Sequence, residues 1–269
     1  MTNARQYWNS NLDTDNLSRK GGGSGTQNAV QLKESFAFAS TPEFEWLQER
    51  VGDVQGRFLI DLGGGVGMHA LLWAIAGASV IVVDPAVQRM QLLRRIATQA
   101  GVAERIRFVA AAAESLPFRE GSVGVVFTKS VLIHTDLPRA AREIHRVLEP
   151  GGQGLFIEPL NRNPLIRLYR ACFAPRIWRN ITRYFDPSAL DDLRAPFGRL
   201  RWKPFYLASA WSFFWQYSPF GIKNLQRFQD SLRRWLRIDA RLTRRWPYLE
   251  SWSWFASIEV RKESDEIAR

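Results

Sequence analysis

Phe58-Leu59-Ile60-Asp61-Leu62-Gly63-Gly64-Gly65-Val66-Gly67 runs from apolar residues through an acid into four glycines. Arg57–Leu62 predicts a strand, and Met68–Ala76, apolar at helical spacing, predicts the helix after it. Glycines between the two let the chain turn tightly and let a ligand approach the backbone. Outward from this stretch, strands and helices alternate. Ser79–Val83 is β-branched and ends at Asp84, and Val87–Ala100 reads as a helix stopped by Gly101. Ile106–Ala110 and Val123–Thr128 are two further strands. Leu137–Leu148 is a helix stopped by Glu149-Pro150-Gly151-Gly152, and Gly154–Glu158 is a fifth strand. Alternation with short loops predicts a parallel sheet covered on both faces.

Asp84 lies about twenty residues past the glycines. An acid there accepts both ribose hydroxyls of an adenosine-containing ligand. It equally suits a local role, capping the helix that begins near Pro85. A dinucleotide fingerprint has the spacing Gly-x-Gly-x-x-Gly. Here the spacing is Gly63-x-Gly65-x-Gly67, and Met68 stands where the third glycine belongs. An acid two residues before the first glycine also suits a cationic ligand better than a pyrophosphate.

Four landmarks then agree in order and spacing: Asp61-x-Gly63-x-Gly65-x-Gly67, Val82-Val83-Asp84, Ala113-Glu114-Ser115-Leu116-Pro117-Phe118, and Glu143-Ile144-His145-Arg146-Val147-Leu148-Glu149-Pro150-Gly151-Gly152. On these, residues 58–160 resemble a class I S-adenosylmethionine-dependent methyltransferase. The resemblance implies an α/β, Rossmann-like, seven-stranded, mostly parallel sheet with helices on both faces. Its antiparallel end pair is expected near Leu200–Leu207 and Trp254–Arg261. It implies S-adenosyl-L-methionine as cofactor and S-adenosyl-L-homocysteine as product. Asp61, Gly63, Gly65 and Gly67 would hold the methionine end. Asp84, with Pro85 after it, would hold the ribose, and Ala112, Ala113 and Glu114 would flank the adenine. Lys129, closing the fourth strand, would border the same site. Two positions depart from the pattern. Ala112 stands where the family often has an Asp that accepts from the adenine amino group, and Gly124 where it often has an Asp in the fourth strand.

Methyl transfer from a sulfonium is an in-line displacement that needs a base only if the acceptor must lose a proton. Ligands in open α/β sheets sit at the carboxyl edge, so His134, just past the fourth strand, is the first candidate base and Glu158 the second. Each has a plainer reading, His134 as a cap of the following helix and Glu158 as a structural hydrogen-bond partner. Lys129 could orient a substrate oxyanion or be simply solvated. His69 is expected to line the cofactor site or pack, and His145 to lie at the surface. Three histidines and one cysteine form no metal-ligand spacing, and no Ser–His–Asp elbow is present.

Residues 1–160 hold 16 Lys and Arg against 16 Asp and Glu, whereas residues 161–269 hold 21 against 10 and eight of the eleven Trp. That asymmetry points to an anionic partner for the second part. The expected organisation is an N-terminal lid or helical segment at 1–50, with a glycine-rich hinge at Gly21–Gly25 and helices at Gln27–Phe38 and Pro42–Val51. A cofactor core follows at 51–160, and then, at 161–269, the rest of the sheet with basic, aromatic, helical cap insertions at 161–185 and 208–250. In a helix at Leu225–Leu242, residues Leu225, Phe228, Leu232, Trp235, Leu236 and Leu242 share a face opposite most of the arginines. Trp211, Phe213, Phe214, Trp215 and Tyr217 form a candidate interfacial wedge. Basic helices of this kind lie in membrane interfaces, and the plainer reading packs the same faces onto the sheet domain. The expected acceptor is lipid-like, isoprenoid or glycolipid, met at the membrane face. A soluble aromatic or sugar intermediate is the alternative, and a non-catalytic cofactor-binding regulator is a third reading, motivated by Ala112 alone. Nucleic acid is disfavoured, because the basic charge lies in amphipathic patterns rather than in a known module. With one cysteine, a polar N-terminus and no long apolar run, the expected location is cytoplasmic, peripheral on the inner membrane face.

Overall fold

The computed structural model describes residues 41–65, 67–174, 177–217 and 225–264. The glycine run Gly21–Gly25 and the helix expected at Gln27–Phe38 lie outside the described residues. Helix α1 (Pro42–Val51) leads to β1 (Phe58–Leu62), α2 (Met68–Ile75), β2 (Ser79–Val83), α3 (Val87–Gln99), β3 (Ile106–Val109), β4 (Val123–Lys129), α4 (Leu137–Val147) and β5 (Leu148–Pro159). Then come α5 (Pro164–Phe173), α6 (Trp178–Ile181), α7 (Pro187–Phe197), β6 (Leu200–Phe205), α8 (Ala210–Tyr217), α9 (Leu225–Arg245) and β7 (Phe255–Arg261). All seven strands form one sheet in the order β3-β2-β1-β4-β5-β7-β6. β1 to β5 run parallel, and β7 lies antiparallel between β5 and β6. The expected seven-stranded, mostly parallel sheet is therefore present, its end pair within a residue or two of the predicted positions.

The pleat decides which side chains share a face, because successive residues of a strand point to opposite sides. Leu59, Val80, Val82, Val125, Phe127, Leu155 and Ile157 pack under α1, α2 and α3, through Phe44 and Leu47, Leu71 and Trp73, and Leu93 and Ile96. Ile60, Leu62, Val83, Val126, Phe156 and Ile258 pack against α4 and α7, through Ile144, Val147, Leu193 and Phe197. Asp61 pairs in register with Val82 and Phe127, so it belongs to the first face. Helix starts follow their caps: the carboxylate of Asp136 accepts from the Arg139 amide at the head of α4, and Asp186 does the same for Ala189 in α7.

A third, smaller cluster joins the cap to the sheet, with Phe205, Tyr206 and Ile166 against Ala210, Phe228 and Leu232. Two expectations about the cap change here. The face of α9 carrying Phe228, Leu232 and Leu236 packs inward rather than onto a membrane. Phe213, placed in the candidate wedge, lies against Tyr206, Phe228 and Trp254 at ring distances of 4.9–5.5 Å. A sequence shows that a helix is amphipathic, not what its apolar face meets. The anchor of α9 is Asp239, which the sequence did not flag. Its buried carboxylate accepts from the amides of Leu207, Ala208 and Ser209 and from the Ser209 hydroxyl, tying α9 to the start of α8. Asp239→Ala strands these buried donors. It is expected to cost about 3 kcal/mol, read as a lower urea midpoint at unchanged slope.

Candidate active site

The glycine loop is built for its own packing as much as for a ligand. Gly63, Gly65 and Gly67 all have positive φ, 67°, 54° and 75°. A Cβ on Gly63 would lie 2.4 Å from a methyl of Val131, and one on Gly67 2.1 Å from Leu93 of α3. Gly67 thus does the helix-packing job of a dinucleotide motif's third glycine, one position early. Gly67→Ala combines left-handed strain with that clash and is expected to destabilise by about 3 kcal/mol or more, measured by chemical unfolding. Gly64, which the motif reading passed over, hugs the acid: its Cβ would sit 2.9 Å from Asp61 Oδ2.

Asp61 and Asp84 lie near each other at the carboxyl ends of β1 and β2, both buried and both against the glycine loop. Asp84 Oδ2 accepts from the Gly65 amide at 2.9 Å, and Oδ1 from the Ala86 amide at 2.7 Å. The second bond is an Asx turn that leads into α3 without capping it, so the expected helix cap at Asp84 is corrected to a turn just before the helix, whose own N-cap has no side-chain hydrogen bond. The N-cap position of α3 is Ala86. Pro85, half-buried, lies between the two bonded residues. Asp61 is buried, and its Oδ2 has no hydrogen-bond partner. Burial first, and the charge of Asp84 second, push the Asp61 carboxyl up to about 8. Arg89, buried in the first turn of α3, reaches the loop beside Gly65.

The third and fourth landmarks are one hydrogen-bonded unit. Arg146 donates to the carbonyls of Phe118 and Leu116 at 3.0 Å each and pairs with Glu143, whose Oε2 accepts from the Leu116 amide at 3.0 Å. Helix α4 thereby clamps the loop that follows Ala112 and Ala113. Ala112 closes a tight turn, its carbonyl accepting from the Ser115 amide. Glu114 commits Oε1 to the Asp136 amide at 2.9 Å. Gly124 sits at the amino end of β4, where a Cβ would meet Glu149 at 3.1 Å, far along the strand from the glycine loop.

The carboxyl end of β4 divides between faces. Lys129 is not simply solvated: its Nζ lies 3.1 Å from Glu43 Oε1, a buried carboxylate on α1. Tyr206, in a left-handed backbone conformation with φ 67°, donates its hydroxyl to Glu43 Oε2. Glu43 and Tyr206 escaped the sequence reading because their partners lie 86 and 163 residues away. Thr128 and Glu158 occupy the other face. Glu158 Oε1 accepts at 3.1 Å from the Thr128 hydroxyl and from the Val131 and Leu132 amides, which fixes the turn after β4. Burial pushes Glu158 up to about 7, against those donors. His134 closes that turn. Its Nδ1 lies 3.0 Å from the Ile181 carbonyl of the cap, so the neutral ring carries its lone pair on Nε2. Burial holds its imidazole below the ordinary range, partly offset by that carbonyl. It does not cap α4, since Asp136 does. His69 packs at 4.8 Å from Phe44 and 5.2 Å from Phe127, and His145 lies at 5.2 Å from Phe197. No group of three metal-binding side chains occurs among the described residues. A cavity of about 510 Å³ opens elsewhere, between α1, β6 and α9, lined in part by Trp46, Phe205, Tyr206 and Leu236.

A family model described as a methyltransferase domain matches residues 60–156. The ubiquinone biosynthesis O-methyltransferase of Bordetella avium (strain 197N) is 31% identical over 141 residues, which are 52% of this chain and 57% of that protein. The enzyme of the same name from Pseudomonas aeruginosa (strain LESB58) is 32% identical over 155 residues, covering 54% and 65%. The match thus spans less than two thirds of these relatives. Among solved structures, a geranyl diphosphate methyltransferase in complex with GPP and sinefungin superposes with a TM-score of 0.64 at 14% identity, covering 97% of this chain and 98% of that one. The [4+2]-cyclase SpnF superposes with a TM-score of 0.56 at 20% identity, covering 91% and 85%, so the fold by itself does not specify the chemistry. The match over residues 60–156 and the shared sheet architecture identify this chain as carrying a class I S-adenosylmethionine-dependent methyltransferase domain.

Proposed function

We propose that this protein methylates a lipid-like acceptor of isoprenoid or glycolipid type at a membrane face, using S-adenosylmethionine. The observation that carries the cofactor half is Asp61, a fully buried carboxyl with an unpartnered oxygen beside a second acid. Such an oxygen suits a cationic ligand group, because burying a carboxylate without a counter-charge is costly. When bound, S-adenosylmethionine supplies an electrophilic methyl group on a sulfonium. In this reading Asp61 holds the ammonium of the amino-acid end, and the glycine loop, at Gly63, Gly65 and Gly67, shapes the turn around it. Asp84 takes the ribose hydroxyls with Pro85 beside it. Ala112, Ala113 and Glu114, clamped by Arg146, flank the adenine. Lys129, pinned by Glu43, closes the α1 side. Glu158 positions the turn that carries His134, and neutral His134 takes the proton where the acceptor is a hydroxyl.

The acceptor class rests on different support. The relatives named above act, by their names, in ubiquinone biosynthesis and on geranyl diphosphate, and the second part of the chain is basic and aromatic. A soluble acceptor is the second reading. The 510 Å³ cavity is of a size that takes a small molecule, but it shares no lining residue with the proposed cofactor set. The experiment is transfer from methyl-labelled S-adenosylmethionine into a total lipid extract and, separately, a water-soluble extract. Label in the organic phase is expected. Label only in the aqueous phase would overturn the lipid acceptor, and label in neither would overturn the transferase reading.

A further inference from the structure

With its inner face packed against Phe205 and Tyr206, α9 keeps a second apolar stripe on its outer shoulder. Trp235, Ile238 and Leu242 follow one another at steps of three and four residues. Trp246, whose amide still donates to the Leu242 carbonyl at 2.8 Å, continues the line. The 3₁₀ turn Pro247–Trp252 folds back against α9 and adds Tyr248 and Trp252. Apart from half-buried Leu242, these side chains are 37–66% exposed. Round the outward side of α9, Arg233, Arg234, Arg237, Arg241, Arg244 and Arg245 are all exposed, with Arg234 and Arg245 nearest the stripe and Arg244 at the rim of the cavity between α1, β6 and α9. Among the described residues no carboxylate forms an ion pair with any of these six. Asp239, the acid nearest the middle of this helix, is turned inward and bonded to the start of α8.

Exposed tryptophans near guanidinium groups that have no carboxylate partner among the described residues, one of them (Arg245) stacked 5.6 Å from the Trp246 ring, match the boundary of an anionic bilayer, where indole rings rest at the headgroup level and arginines meet phosphates. The position is also apt. The Trp252 carbonyl accepts from Asn163 at 2.7 Å, and the Trp254 carbonyl from the Leu160 amide at 2.8 Å. The turn therefore adjoins the carboxyl end of β5, on the edge that carries the glycine loop.

We infer that the outer shoulder of α9 and the Pro247–Trp252 turn dock this protein on an anionic phospholipid bilayer. The inference rests on the reading of a membrane-face acceptor and gives that reading its surface. The experiment is flotation of the full chain with vesicles of phosphatidylcholine alone or mixed with phosphatidylglycerol, at low and high salt. Binding is expected only to the mixed vesicles and to fall with salt. Replacing Arg234, Arg237 and Arg241 with Gln should weaken it by about fivefold per residue. Trp235→Ala with Trp246→Ala should weaken it at least about tenfold. These side chains are exposed, so the variants should keep the wild-type melting temperature and S-adenosylmethionine affinity, which separates lost docking from lost fold. Wild-type failure to float with the mixed vesicles, equal binding to both vesicle types, or indifference to the tryptophan pair would overturn the inference. So would a concentration-dependent dimer that the same pair abolishes. Organic-phase label without flotation would leave the lipid acceptor standing and remove only this surface.

Discussion

Asp61→Asn is expected to weaken S-adenosylmethionine binding by about 10- to 100-fold while making the ligand-free protein more stable. The affinity loss follows from exchanging a charge-assisted contact for a neutral one, a difference of about 1.5–3 kcal/mol. The stability gain follows from linkage. Folded Asp61 titrates near 8 and its ordinary value is 3.8. Between those values the folded protein keeps a proton that the unfolded chain has released. The stability associated with this group is therefore fully present below about pH 4, declines as pH rises, and levels off above about pH 8. Asparagine has no such proton. The variant's melting temperature should exceed wild type by a margin that grows between about pH 5 and about pH 8, reaching at least about 3 °C. Equilibrium dialysis reads the first effect and thermal unfolding across pH the second. A variant less stable than wild type at every pH would show that Asp61 is a structural acid rather than a waiting ligand group.

Asp84 is expected to separate into two roles under two substitutions. Asp84→Ala removes the acceptor for the Gly65 and Ala86 amides, and it should cost about 3 kcal/mol of stability, since two buried donors lose their partner. Asp84→Asn keeps one oxygen and should lose less than half of that. Both variants should lose about 100-fold or more in cofactor affinity if the carboxylate also takes the ribose hydroxyls, because two charged hydrogen bonds go with it. Urea unfolding and a binding titration on the same samples check the pair. Cofactor affinity that falls only in proportion to lost stability would leave Asp84 as a loop fastener alone.

Much of the sheet was legible in the sequence, because strands buried on both faces carry near-continuous β-branched runs and glycines punctuate them. The same locality made Asp61, Gly63, Gly65, Gly67 and Asp84 visible: one strand, one turn and the next strand end contain them all. The carboxyl end of β4 was harder. Lys129, Glu43 and Tyr206 come from a strand, a helix and a loop, and only their meeting defines them. Parity along β4 and β5 could have told that Lys129 and Glu158 point to opposite faces, had the register between those strands been known. The third and fourth landmarks were each read as family punctuation. Their physical reason, Arg146 and Glu143 gripping the backbone of Leu116 and Phe118, emerges only when α4 packs beside that loop. The cap shows a further limit. The apolar face of α9 is broad, and the contact with Phe205 and Tyr206 selects the part of it, at Phe228, Leu232 and Leu236, that is buried, leaving Trp235 at its margin 37% exposed.

The most direct measurement is the proton count on binding, by calorimetric titration of S-adenosylmethionine near pH 7 in two buffers of different ionisation enthalpy. With Asp61 protonated in the free protein and ionised opposite a bound cation, wild type should release close to one proton more per ligand than Asp61→Asn does. Saturable binding with the same proton count in both proteins would contradict the assignment of Asp61 to the cationic end of the ligand. The absence of saturable binding to wild type would contradict the site altogether.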